Sequence, residues 1–147
     1  MRKYQKHEVF KILFVFWGAK LGIPPVPIVE DRRYSGHLAA VISNSGKKLF
    51  RVVYNKRRLS RWPYEVVVMG VFHEIGHIVQ KLPYDTTAEM VESEVQAERY
   101  GLKMLGKHYP QFLAEAIKYV KTNLANPRWR AKAPIHCEAY RQIEEYQ

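Results

Sequence analysis

Apolar and polar positions alternate along this chain in several distinct rhythms. The stretch 6–21, KHEVFKILFVFWGAKL, is dense in apolar residues, is bracketed internally by Lys11 and Lys20, and stops at Gly22 and a proline cluster. That pattern predicts a buried first helix. Pro24, Pro25 and Pro27 then hold 22–33 extended, because each fixes φ and removes a backbone donor. HLAAVISN (37–44), the turn SNSGK (43–47) and KLFRVVYN (48–55) read as a β-hairpin. In the second arm Leu49, Arg51, Val53 and Asn55 fall on one face, with Phe50, Val52 and Tyr54 on the other.

From Trp62 onward the rhythm becomes helical. Trp62-Pro63 opens a long helix, with Pro63 at its first position and Glu65 in its first turn, ending near Leu82-Pro83. Val66, Val67 and Val68 favour strands, so composition alone leaves this stretch ambiguous. Thr86 and Glu89 are spaced as a capping box and start a helix to about Gly106. Pro110 starts another that ends near Leu124. NPRWRAKAP (126–134) reads as a basic loop, and 135–146 as a short amphipathic tail. The order is helix, small sheet, then helices, which predicts a single α+β domain over 1–147, with 126–147 as a regulatory tail.

Composition narrows this further. A chain of 147 residues, 47% hydrophobic and 13% aromatic, is long and apolar enough to bury a core, so disorder is excluded. The single cysteine, Cys137, excludes an internal disulfide framework and an all-cysteine zinc site. The N-terminus imitates a secretory signal, but the run 12–19 is short, no clear cleavage site follows, and nothing is long enough to span a bilayer. The expectation is a soluble, cytoplasmic protein without a transmembrane segment.

Charge is unevenly spread. Residues 1–62 carry 14 basic and 3 acidic residues, a balance of +11, whereas 63–147 carry 10 basic and 11 acidic, a balance of −1. A basic front half around Arg32-Arg33, Lys47-Lys48 and Lys56-Arg57-Arg58 would attract nucleic acid, anionic lipid or an acidic protein partner. It would equally serve as a solvated face.

Chemistry enters at VFHEIGHIVQ (71–80). His73 and His77 are four apart, so a helix presents both imidazoles on one face, as tetrahedral zinc requires. Glu74, displaced by one residue, is placed to act as a general base beside them. A catalytic zinc wants a third protein ligand and an open position. No third histidine follows closely; the next is His108, a whole helix away.

The glutamates of ESEVQAERYG (92–101) answer better. Glu94 and Glu98 share one helical face in a stripe with Leu102, where an amphipathic helix turns inward. Buried acids need partners. Glu94 as third ligand and Glu98 as acceptor behind a ligand imidazole would satisfy both, with Glu92 an alternative on a different face.

HEIGH followed by SEVQAERYG resembles the gluzincins, zinc peptidases whose second motif is E-x-x-A-D-x-x-G/A. Glu94 stands at the ligand position, Ala97 at the small one and Gly101 at the closing one. The nearest versions belong to the integral-membrane prenyl-protease and heat-shock types. Without their membrane helices, this chain is most similar to the soluble minigluzincins. The resemblance is specific over 73–101 and loose over about 6–125. Position 98 departs from it, being Glu where Asp is usual, which moves the carboxylate outward.

The resemblance implies a zincin-like fold: an N-terminal helix, a small antiparallel or mixed three-stranded sheet, an active-site helix, a glutamate-ligand helix and C-terminal helices. It implies one Zn2+ per chain, a peptide or protein substrate, and zinc-dependent peptide hydrolysis. Substrate would lie along the sheet edge formed by 37–44. An oxyanion donor is also needed, for which Tyr100, His108, His37 and His136 are candidates. Minigluzincin latency, in which a terminal segment covers the cleft, directs attention to His136 and Cys137 as tail residues able to ligate zinc. Two other readings fit parts of the chain: a repressor-cleaving protease of the phage-immunity type, and a basic nucleic-acid-binding module with a structural or vestigial metal site.

Overall fold

The computed structural model describes residues 3–42 and 48–147; the expected turn 43–47 lies outside the described residues. The chain begins with helix α1 (Lys6–Lys20), followed by strands β1 (Ile28–Glu30), β2 (Leu38–Ile42) and β3 (Leu49–Tyr54). Helices α2 (Lys56–Leu59), α3 (Tyr64–Gln80), α4 (Thr87–His108), α5 (Pro110–Leu124), α6 (Pro127–Lys132) and α7 (Pro134–Tyr140) follow, and a 3-10 turn, Glu144–Tyr146, closes the chain. The architecture is α+β. Among the described residues, no helix is long and apolar enough to cross a membrane.

The sheet is mixed, with order β1-β3-β2. β2 and β3 pair antiparallel as the hairpin pattern predicts, while β1, inside the proline-rich segment, adds to the other side of β3 in parallel. Among the described side chains of β3, exposed Arg51 next to buried Val52 follows the expected alternation, which is then lost. Val52, Val53, Tyr54 and Asn55 are all buried, because the end of the central strand is covered on both faces.

α3 is the axis of the molecule. It packs on α4, α1, α5 and β2, and the residues Val66–Gly76 are buried on every side. A helix apolar all round is expected in such a place, which resolves the ambiguity of the three valines. Pro63 is the cap residue, one position earlier than expected, and the helix ends at Gln80, where Lys81 takes a left-handed φ of 53°. α4 starts with the predicted capping box, the Thr86 hydroxyl accepting from Glu89 N–H while the Glu89 carboxylate accepts from Thr86 N–H.

Two expectations are corrected. The stretch 126–134 is not a loop: the Asn126 side chain accepts from Arg128 N–H and Pro127 opens α6, a proline-initiated, capped helix. α1 is only half buried. Phe10, Phe14, Trp17 and Gly18 face the core, whereas Ile12, Val15 and Phe16 are exposed.

Candidate metal centre

α3 and α4 run side by side, and small residues set their separation. A Cβ on Gly76 would stand 3.1 Å from Cα and O of Ala97 and from Tyr100 Cβ. One on Gly101 would stand 3.3 Å from His73 N. The close approach of the two backbones brings the histidines of α3 and the acids of α4 within reach of each other.

They converge on one atom. His73 Nε2 and His77 Nε2 each lie 3.0 Å from Glu94 Oε1, and His136 Nε2, from α7, lies 3.3 Å from the same oxygen. His73 Nδ1 is 3.1 Å from Glu98 Oε1, and His77 Nδ1 is 3.0 Å from Ser93 Oγ. Tyr84, in the link between α3 and α4, donates its hydroxyl to Glu94 Oε2 at 2.9 Å. Glu94 and Glu98 are 2% and 1% exposed. The extra methylene of Glu98 therefore does not carry its carboxylate outward; it reaches the far side of the His73 ring. Glu98 Oε2 is buried, with the Tyr140 and Tyr146 hydroxyls packed close enough for its charge to act on both.

The electrostatics follow from burial and pairing. Burial alone would neutralise His73, but its hydrogen bonds to Glu94 and Glu98 outweigh that and hold its pKa well above the usual value. Burial would likewise raise Glu94, yet the charges of His77 and His136 and the hydrogen bonds from the imidazoles hold it well below the usual range. For Glu74, burial wins: its pKa is raised, partly offset by His77 and His73. Glu74 Oε2 accepts from Ala40 N–H at 3.1 Å, which ties the residue after His73 to the outer strand β2. On the same strand the Tyr34 hydroxyl donates to Leu38 O at 3.1 Å. Burial, then the charges of Glu74 and Glu94, push Tyr34 up to about 12.

The donor set fits a zinc ion: imidazole nitrogens and one carboxylate oxygen from two rigid helices, with Glu98 placed behind a ligand imidazole. Among the described residues, two overlapping groups of side chains could hold an ion, His73 with Glu94 and His136, and His73 with Glu74 and His77.

Other residues singled out in the sequence fall elsewhere. His108 packs its ring on Trp17 at 4.3 Å and near Phe72, in an aromatic cluster of the core. Tyr100 sits on the side of α4 that meets Gly76, away from the donors. Cys137 is buried and belongs to neither group, since α7 turns it away from the face carrying His136. Glu92 is exposed and accepts from Gln96. His37 stacks on Trp62 at 4.2 Å and lines a cleft of about 390 Å³ that opens beside His73 and Glu74. Sequence reasoning missed Tyr34 and Tyr84. Both lie in segments without periodicity, so only the folded chain reveals that their hydroxyls face the acids.

No family model, curated protein or solved structure matches this chain.

Proposed function

We propose that this protein is a zinc-dependent peptidase of the gluzincin type, on a minimal zincin-like fold most similar to the minigluzincins. One observation carries the reading: His73 Nε2 and His77 Nε2 meet the same oxygen of Glu94 at 3.0 Å, with buried Glu74 adjacent. His73, His77 and Glu94 would hold the ion, and Glu98 would fix the orientation of His73. Zinc, when bound, would polarise the scissile carbonyl and favour attack by water at neutral pH. Glu74, its pKa raised by burial, would take the proton of the attacking water and deliver it to the leaving amine. A substrate strand laid along β2 would displace the Ala40–Glu74 and Tyr34–Leu38 hydrogen bonds, freeing both side chains at the moment they are needed. The Tyr34 hydroxyl, still protonated with a pKa of about 12, would then be available as a donor to the oxyanion.

Metal analysis and a peptide-cleavage assay on the zinc-loaded chain test this reading. One zinc per chain, lost in His77→Ala and Glu94→Ala, and cleavage abolished in Glu74→Gln without loss of zinc, are expected. A chain that binds no zinc refutes it.

His136 favours a second reading of the same site. Lying 3.3 Å from Glu94 Oε1, it would be a fourth protein donor, closing the position that catalysis needs open. This supports a latent state set by α7 through His136, in place of the thiolate of Cys137. His136→Ala is then expected to cleave peptides faster than the unsubstituted chain; slower cleavage assigns His136 to catalysis instead.

A further inference from the structure

We infer that the cleft selects a peptide bearing a carboxylate near the bond to be cut, and that Arg58 receives it. The inference rests on the peptidase reading. The cleft runs along α3 from His73 and Glu74 toward the start of the helix, over Val66, Met69 and Gly70. Gly70 shapes this floor: a Cβ there would stand 2.8 Å from Leu38 Cδ1 and 3.0 Å from the Trp62 ring. Trp62 and Trp129 also line the cleft, so most of its wall is apolar.

Charge breaks the symmetry of this surface. Arg58, half-buried on α2, lines one wall, and Lys132, exposed at the end of α6, lines the other. Among the described residues, neither has a carboxylate within salt-bridge distance. Among the described residues, the acids lining the cleft are Glu74, bound to Ala40 N–H, and Glu98, bound to His73. His37, beside Arg58, adds no second positive charge: burial, then the charges of Arg58 and Arg61, hold its pKa down to about 4, so its ring is neutral.

The backbone at Arg58 is anchored by its own amide N–H. Buried Asn55 accepts from Arg58 N–H and donates to Tyr34 O at 2.9 Å, linking α2 to the segment that carries the Tyr34 hydroxyl. Arg58 thus lines a largely apolar cleft from an anchored backbone, and among the described residues its guanidinium has no carboxylate partner. Its planar fork suits a carboxylate, and a neutral occupant would cover it without replacing its solvation. A nucleic acid fits less well. A polyanion following the cleft would place phosphates against Glu74 and Glu98, whereas a peptide carries one carboxylate to the Arg58 end alone.

The experiment uses the zinc-loaded full chain and blocked peptides that differ only in one Glu, Gln or Lys scanned along the sequence. Binding to uncleaving Glu74→Gln is read from the fluorescence of Trp62 and Trp129, and cleavage is read separately on the active chain. A Glu peptide is expected to bind about tenfold more tightly than its Gln counterpart, between an exposed and a buried charge pair in size. Arg58→Gln should abolish that preference, and Arg58→Glu should reverse it toward Lys. Peptides with a free or amidated C-terminus separate a terminal carboxylate from an acidic side chain. Equal binding of Glu and Gln peptides, or a preference unmoved by Arg58→Glu, overturns the inference while cleavage leaves the peptidase reading standing. Acidic peptides bound through Arg58 but never cleaved would instead refute the peptidase reading. Tighter binding of a single-stranded oligonucleotide, dependent on Arg58, also overturns the inference.

Discussion

Replacing Gly76 by alanine tests whether the helix–helix separation builds the site. Alanine is the better helix former, which alone would stabilise α3 by about 1 kcal/mol. The new Cβ, however, would stand 3.1 Å from three atoms, and two of them are the Ala97 backbone, which has no rotamer to move into. The shortfall from ordinary contact is about 0.3 Å, so α4 must shift bodily. Overpacking of this kind costs about 1–3 kcal/mol, leaving a net loss of about 1 kcal/mol, or roughly 2–4 °C in Tm for a chain of this size. The larger effect falls on the metal. His73 and His77 lie on one side of the interface and Glu94 and Glu98 on the other, so a small shift separates the donors and lowers zinc affinity about tenfold. Gly70→Ala is the control, because its Cβ meets the side chains of Leu38 and Trp62 and leaves α4 alone. Thermal unfolding by circular dichroism and zinc competition against a fluorescent chelator read both quantities. A Gly76→Ala chain as stable as its parent, with unchanged zinc affinity, would show that close approach is not what holds the site.

Two further outcomes follow from the same geometry. Tyr84→Phe leaves Glu94 Oε2 without its hydroxyl donor and is expected to weaken zinc binding about tenfold in the chelator competition, with the fold intact by circular dichroism. His37 makes stability depend on pH: with its pKa held down to about 4 against 6.5 unfolded, the unfolded chain takes up the proton first, so this stabilisation is full above pH 6.5 and is lost as pH falls toward 4. Full burial would make that about 3 kcal/mol, and partial exposure reduces it to about 2 kcal/mol. Urea unfolding at pH 7 and pH 4.5 should therefore show a smaller pH difference in His37→Phe, which keeps the stack on Trp62.

Much of the architecture was legible because it is written in local rules. A proline cluster, a capping box of Thr86 and Glu89, and Pro110 at a helix start act on their immediate neighbours: α1 ends just before the first, and α4 and α5 begin at the other two. Helix α6 does not show in the sequence because a short, basic, exposed segment has no apolar period, and its signals are the Asn126 cap and Pro127 alone. The site divides in the same way. The i, i+4 spacing of His73 with His77 and of Glu94 with Glu98, and the small residues Gly76, Ala97 and Gly101, are sequence properties that fix which faces of two helices are able to meet. That they meet at one carboxylate oxygen depends on packing between positions 17 and 21 residues apart in the chain. Only the tertiary structure chose His136 over Cys137 on α7, moved His108 into the aromatic core, brought Tyr34 and Arg58 to the cleft, and set the Tyr84 hydroxyl on Glu94. Tyr34, Tyr84, Arg58 and His136 come from short or irregular segments, where direction is set by the body they pack against and not by the period of their own sequence.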